Sequence, residues 1–289
     1  MALDGVFDAA SPVVGMVHLP PLPGSPGFDG DRDRIDERAL ADARALAEGG
    51  ADAVLVENFG DAPFYPDDVP KHVVASMTAA VRRVCDAVSL PVGVNVLRND
   101  AAAAVSVAAA TGADFVRVNV HSGAAVTDQG VIEGTAHETV RLRERLDADV
   151  SILADVDVKH AAALGDRPVA ERVRDVVERE RADGVVVSGA GTGEPTPEER
   201  LREAREALAS LDRDAPLFVG SGVTAETAAA TLSAADGAIV GTAMKEGGET
   251  TAPVDPDRVR RVVEAGSDGT NGGASTGDAP DGAGPNEGD

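Results

Sequence analysis

The chain of 289 residues has one cysteine, one tyrosine and no tryptophan, and its 26 basic residues stand against 50 acidic ones. A lone Cys85 cannot form an intrachain disulfide, so no disulfide framework is available. The formal charge of −24 repels the phosphates of nucleic acid and anionic membrane surfaces, which excludes the usual electrostatic footprint for either. No apolar run reaches bilayer-spanning length, and the first residues do not read as a signal peptide. These absences lead us to expect a soluble, reduced, cytoplasmic protein without membrane insertion. Lysine is scarce as well, with three (71, 159 and 245) against 23 arginines. Such an acidic, lysine-poor chain resembles proteins of salt-loving archaeal cytoplasms, where concentrated cations screen self-repulsion.

Eight short apolar runs rich in β-branched residues punctuate the chain: Val13 to Val17, Ala53 to Val56, Val92 to Val96, Phe115 to Val118, Val150 to Leu153, Val185 to Val187, Leu217 to Val219 and Ala238 to Val240. Segments of helical periodicity separate most of them, a pattern that argues for βα units around a parallel sheet. The even-numbered runs are announced by similar tetrads ending around Asp52, Asp114, Asp183 and Asp236, and three odd-numbered ones by Pro12, Pro91 and Pro216. An alternating signature over four βαβα units predicts a closed (β/α)8 barrel, of about 250 residues, better than an open sheet. We place the barrel at residues 1–265. From Gly266 the composition turns to Gly, Asp, Ser, Thr, Asn and Pro, which cannot bury enough surface to order itself, so residues 266–289 read as a disordered acidic tail.

Punctuation supports the helices. Asn99 or Asp100 suits the cap after the third strand. Thr135 with Glu138 and Thr196 with Glu199 have capping-box spacing, and Pro70 and Pro256 suit first helical positions. Gly49 and Gly112 suit helix stops.

The last two predicted strands each run into a glycine turn: Gly220-Ser221-Gly222 and Gly241-Thr242. Backbone N–H groups from both turns could converge on one anion, and in this fold a phosphate sits after the seventh and eighth strands. Ser188 to Glu194 adds a third glycine-rich arc but lacks the ending of a nucleotide P-loop.

Active sites of barrels collect at the carboxyl ends of the strands. Polar residues there are His18, Glu57 and Asn58, Asn95 with Arg98 beyond it, Arg117, Asn119 and His121, Asp155 to His160, Ser188 and Ser221. So many ionisable groups around one rim are costly to bury without function or mutual pairing. Lys159 stands out because arginine replaces lysine almost everywhere else. A compact amine can bind an anion, act as acid or base, or form an imine; alternatively Lys159 forms a salt bridge to Asp155 or Asp157. Asp155 and Asp157 share one face of an extended strand, where two carboxylates can divide acid and base duties, hold a divalent cation, or orient Arg117. No short metal-ligand motif is present, so the cofactor is open, with a divalent cation possible through Glu57, His18, His121 and the aspartates. His72 and His137 fall in helical stretches and are expected to face solvent. Long loops at residues 57–69, with Phe59, Phe64 and Tyr65, and at 119–134 read as lids or oligomer contacts. A homo-oligomer is therefore expected.

Taken together, Met16 to Gly24, Glu57-Asn58-Phe59-Gly60-Asp61, Gly93 to Asn99, Arg117-Val118-Asn119, Asp155 to His160, Ser188 to Gly193 and the two glycine turns resemble the BtpA/SgcQ family, over about Val13 to Glu246. The resemblance implies a TIM barrel. It also implies a name drawn from photosystem I biogenesis, and for a bacterial branch an association with sugar-uptake gene clusters, with no settled reaction from either. The rim chemistry leads to a different expectation, an enzyme acting on a small phosphorylated metabolite by acid/base, lyase or isomerase-type chemistry. Lys159, Asp155, Asp157, Glu57 and His18 would be catalytic, and Asn58, Asn95, Arg117, Asn119, His121 and Ser188 would bind substrate. Phosphate would rest on Gly220, Ser221, Gly222, Gly241 and Thr242. The alternative is a non-enzymatic assembly factor for a membrane protein complex.

Overall fold

The computed structural model describes residues 5–157, 161–165, 167–189, 191 and 194–271. Eight parallel strands close into a barrel: β1 (Val13–His18), β2 (Ala53–Glu57), β3 (Val92–Asn95), β4 (Phe115–Val118), β7 (Ser151–Asp157), β9 (Gly184–Val187), β10 (Leu217–Val219) and β11 (Gly237–Val240), in that order around the ring. All eight expected runs are strands, and the barrel class stands. Helices α1 (Arg32–Glu48), α2 (Lys71–Ala87), α3 (Ala101–Thr111), α4 (Ala136–Arg145), α5 (Val169–Arg174), α6 (Glu198–Ala209), α7 (Ala228–Ala234) and α8 (Pro256–Asn271) follow successive barrel strands. Helix α8 runs past Gly266, where the composition changes, to Asn271.

The repeated aspartates have a common task. Asp52, Asp114, Asp183 and Asp236 each accept, through a carboxylate oxygen, an N–H from the first or second residue of the preceding barrel strand: Val13 at 2.8 Å, Val92 at 2.8 Å, Ile152 at 2.9 Å and Leu217 at 2.8 Å. The backbone N–H of each aspartate returns a bond to a carbonyl of that same residue. On the other side, the carbonyls of Pro12, Pro91 and Pro216 accept from Ala238, Val54 and Val185. A strand pair thus satisfies the backbone groups at its own entry, and the barrel is built from four such pairs.

Alternate residues of each strand point inward. The inner core is Val14, Met16, Ala53, Leu55, Phe115, Leu153, Val186, Phe218 and Ile239. Phe115 lies where a Cβ on Gly93 would come within 2.2 Å of its ring, and Phe218 likewise stands 2.4 Å from a Cβ on Gly237. Large residues opposite glycines on neighbouring strands fill the interior to ordinary packing density. The amino-terminal Phe7 plugs one end, with its ring 5.5 Å from Phe115 and 5.7 Å from Phe218. The outer faces of the strands pack on the helices, as in α1, where Ile35, Ala39, Asp42, Ala43 and Leu46 are buried at helical spacing.

Several local expectations are corrected. Asp100, not Asn99, caps α3 by accepting from Ala103 N–H, while Asn99 is taken up by both backbone groups of Val120. Neither capping box forms. Thr135 caps α4 without a side-chain bond, and Pro197 rather than Thr196 occupies the cap of α6. Pro70 is a cap residue and not the first residue of α2. Gly112 stops α3 in the left-handed region at φ 78°, as only a residue without Cβ does readily. Gly49 instead keeps φ −76°; it is small because a Cβ would strike Val259 at 2.4 Å. Residues 119–134 are not an open loop. They form a hairpin, β5 (Ala124–Thr127) and β6 (Gly130–Glu133), joined by β8 (Ala162–Ala163) into a small antiparallel sheet.

Candidate active site

The last inward positions of the strands are polar where the inner core below them is apolar. His18, Glu57 and Asn95 lie side by side in register on β1, β2 and β3, and all three are buried. Asn95 Nδ2 donates to Glu57 Oε2 at 2.7 Å, and His18 Nε2 lies 3.9 Å from Glu57 Oε1. His18 Nδ1 is 2.9 Å from the carbonyl oxygen of Thr250. A carbonyl can only accept, so Nδ1 carries a proton, and Nε2 is the ring nitrogen that faces the glutamate. The face of the ring is covered by Phe59, stacked at 4.6 Å.

On the opposite wall Arg117 of β4 and Asp155 of β7 form a bidentate pair, Nε to Oδ1 at 2.9 Å and Nη2 to Oδ2 at 2.8 Å. Burial pulls the Arg117 pKa down, but the charge and hydrogen bonds of Asp155 more than offset this and hold it above its ordinary value. Burial pushes the Arg98 guanidinium below its ordinary value, against the attraction of Glu57 and Asp155. It remains cationic, as arginine does in proteins. Asn119 Oδ1 and Ser188 Oγ are buried without a hydrogen-bond partner among the described residues. Such orphans are uncommon in folded proteins.

A cleft of about 730 Å³ opens over this layer, lined by His18, Glu57, Arg98, Arg117 and Asn119 and by both glycine turns. Ser221, Gly222, Val223, Thr242 and Ala243 all line it, and none of their backbone N–H groups reaches a backbone acceptor among the described residues. Gly220 must lack a side chain, because a Cβ would lie 2.4 Å from Ser188 Oγ and 3.2 Å from Arg117 Nη2. The second turn is held by Thr242 and Thr250, whose hydroxyls are 2.9 Å apart.

Of the residues expected at the site, His18, Glu57, Arg117, Asn119, Gly220, Ser221, Gly222, Gly241 and Thr242 share this cleft, with Asn95 and Asp155 directly behind their partners. Ser188 sits beneath Gly220 and does not line the cleft. Ser221 points its hydroxyl away, accepting from Gly189 N–H at 2.7 Å. Asn58 is a brace: it accepts from Leu97 N–H and donates to Asp61 and to Leu97 O. His121 turns from the rim to the carbonyl of Glu180, 2.9 Å from Nε2. Lys159 and His160 lie outside the described residues, and of Asp157 only the strand position is described. No group of three or more His, Cys, Asp or Glu side chains is placed to hold a metal among the described residues. His72 and His137 are exposed, and so is Tyr65, whereas Phe59 and Phe64 are half-buried. Phe64 lines the cleft with Phe59.

Three participants carried no sequence signal of their own. Thr250 acts through its backbone, which any residue could supply. Arg258 and Arg261 of α8 line the outer end of the cleft, and their spacing reads only as one face of a helix. Lys245, the third scarce lysine, is fully buried on the outside of the barrel, 3.0 Å from Asp42.

Fold and site together define a closed (β/α)8 barrel with a polar, arginine-bearing cleft at the carboxyl ends of its strands. The chain belongs to the BtpA family, whose model matches residues 9–268. It is 50% identical over 253 residues to an uncharacterised protein of Thermococcus kodakarensis, covering 88% of this chain and 94% of the relative. It is 45% identical over 269 residues to the photosystem I biogenesis protein BtpA of Synechocystis, covering 93% and 92%. Among solved structures, N-(5'-phosphoribosyl)anthranilate isomerase from Pyrococcus furiosus superimposes with a TM-score of 0.54 at 15% identity, over 89% of this chain and 99% of that one. That likeness is one of fold. No helix among the described residues is long and apolar enough to cross a membrane.

Proposed function

We propose that this chain is a cytoplasmic enzyme acting on a small phosphorylated metabolite by proton transfer at carbon, or by the lyase or isomerase chemistry that such transfer initiates. One observation carries the reading: a buried acid/base layer and two glycine turns whose N–H groups reach no backbone acceptor among the described residues line the same cleft. In this reading the turns hold the phosphate while His18 and Glu57 exchange the proton. Asn95 fixes one oxygen of Glu57 and leaves the other toward His18. Arg117, pinned by Asp155, presents a fixed positive charge to a developing oxyanion, and Asn119 Oδ1 accepts from a substrate hydroxyl. Asp157 ends the strand that carries Asp155, and Lys159, which follows it in sequence outside the described residues, is proposed with it as ligand or as acid and base.

Charge supports the reading. In a chain of net charge −24, the cleft is lined by Arg98, Arg117, Arg258 and Arg261 against Glu57 and Glu226. Four guanidinium groups thus share the lining with two carboxylates, one of the four being oriented by Asp155 behind it. A local reversal of that kind concentrates anions at the opening.

Thermal unfolding with a panel of sugar phosphates, the same sugars without phosphate, and orthophosphate tests the proposal. A ligand at 100 times its Kd stabilises by about 2.7 kcal/mol. Selective stabilisation by phosphorylated members is expected, and a flat panel overturns the reading. Against the ligand so identified, Glu57→Gln should bind normally but not turn over; retained turnover removes Glu57 from the chemistry.

The relative named for photosystem I biogenesis favours a second reading, a non-enzymatic factor that binds a membrane protein complex during assembly. Under that reading, affinity capture from cells should recover a stoichiometric partner and the cleft variants should not impair the capture.

A further inference from the structure

We infer that the cleft continues past the glycine turns into a second anion subsite formed by Arg258 and Arg261, so that the ligand is a diphosphate ester with its outer phosphoryl group on these arginines. The inference rests on the anion-binding role proposed for the turns and extends it outward. The inner side of the turns faces the reacting layer, since a Cβ on Gly241 would stand 3.3 Å from the His18 ring and one on Gly220 would meet Arg117. The outer side faces α8. Arg258 Nε donates to Ala243 O at 2.9 Å, which anchors its guanidinium one residue beyond Thr242 and leaves both terminal nitrogens to other acceptors. Gly248 stands beside Arg258 Nη2, where an added Cβ would lie in ordinary contact at 3.6 Å, and both residues line the cleft.

Many arginines of this surface are held by acids, among them Arg34 by Asp29, Arg82 by Asp86, Arg202 by Glu206 and the neighbouring Arg260 by Asp257. Others, such as Arg44 and Arg145, have no ion pair among the described residues, but Arg258 and Arg261 differ from these in lining the cleft. In a chain with 50 acidic residues, Arg258 and Arg261 form no ion pair within the described structure. Glu226 is the carboxylate that faces them at longer range. Its carboxyl is held below its ordinary value by a hydrogen bond from Thr224 and, more weakly, by the attraction of both arginines. Two unpaired guanidinium groups at the end of a phosphate-type cleft suit a phosphoryl oxygen set, which they can grip through several N–H donors.

Size agrees. A liquid water occupies about 30 Å³, so a cleft of about 730 Å³ holds roughly two dozen groups of that size. A triose phosphate has about ten heavy atoms and would leave part of the cleft to solvent, whereas a ligand with a second phosphoryl group fills more of it.

Isothermal titration of the full chain with inorganic orthophosphate and with inorganic diphosphate, at one fixed ionic strength and without divalent metal, tests this. Diphosphate should bind at least tenfold more tightly. Arg261→Ala should bring diphosphate to within about threefold of orthophosphate while leaving orthophosphate binding unchanged, and Arg258→Ala should act in the same direction. Equal affinities in the parent chain, or a diphosphate preference that survives both substitutions, overturns the second subsite and leaves the cradle standing. Failure of both anions to bind overturns the cradle itself and the subsite with it.

Discussion

Arg117 and Asp155 meet across neighbouring strands as a diagonal pair: the register partner of Arg117 is Leu153, and Asp155 lies two residues further on the same face. Both side chains are almost wholly removed from solvent. Taking a guanidinium and a carboxylate out of water costs several kcal/mol each, so the pair persists because each satisfies the other. Arg117→Ala should therefore destabilise the barrel by about 3 to 5 kcal/mol, since it strands a buried carboxylate. Arg117→Ala combined with Asp155→Ala should recover part of that loss. Urea midpoints of the two single variants and the double variant measure it, and strictly additive losses would refute the coupling.

Gly220 and Gly241 occupy matching turns but face different neighbours. A Cβ on Gly220 meets Ser188 Oγ at 2.4 Å and Val186 Cγ1 at 2.7 Å, whereas on Gly241 the nearest atom is 3.3 Å away. Overpacking of the first kind costs about 1 to 3 kcal/mol. Gly220→Ala should lower stability measurably and abolish anion binding, and Gly241→Ala, whose Cβ would press on the His18 ring by only a few tenths of an ångström, should cost less. Thermal unfolding with and without orthophosphate compares them; equal tolerance at both sites would contradict the geometry.

The repeated aspartates give a graded prediction. Asp52 serves one backbone N–H, so Asp52→Ala should cost about 1 to 3 kcal/mol for the unsatisfied group. Asp183 serves Ile152 N–H and also Arg143 and Arg213, and its loss leaves two cations beside an empty carboxylate position. Asp183→Ala should cost clearly more, about 3 to 5 kcal/mol by analogy with broken buried pairs. Denaturant unfolding of the two variants side by side is the measurement, and an equal cost would show that the arginines reach water instead.

Those aspartates explain why so much of the fold was legible in the sequence. Strand identity followed from short β-branched runs, and the four aspartates alternating with three prolines are the trace of the backbone bonds at the strand entries. The polar layer was legible because it continues the inward alternation of each strand: His18 follows Met16, Glu57 follows Leu55, and Arg117 follows Phe115. What lay beyond the strands was not. Asn58 and His121 have the composition of site residues, yet the chain leaves the sheet just before each of them and turns the side chain to backbone partners. The hairpin at Ala124–Thr127 and Gly130–Glu133 is too short to announce itself by alternation. Arg258 and Arg261 reach the cleft only because α8 closes on α7, a tertiary contact with no local mark.

His121 supplies a pH test of this placement. Burial lowers its pKa below the ordinary value, and the carbonyl of Glu180 offsets this only in part. The folded chain therefore holds His121 neutral at a pH where the unfolded chain, titrating at about 6.5, already binds a proton. Between about pH 6.5 and the lower folded value the unfolded state carries the extra proton, so stability rises with pH through this window and is flat in this respect above it. Acidification from pH 7.5 to 5.5 should reduce the urea midpoint of the parent chain more than that of His121→Gln, which cannot titrate. The variant should be less stable than the parent at pH 7.5, because the packing around the ring is lost. Midpoints at both pH values for both proteins decide the matter, and parallel losses on acidification would mean that His121 is reached by water and is free to take up its proton in the folded state.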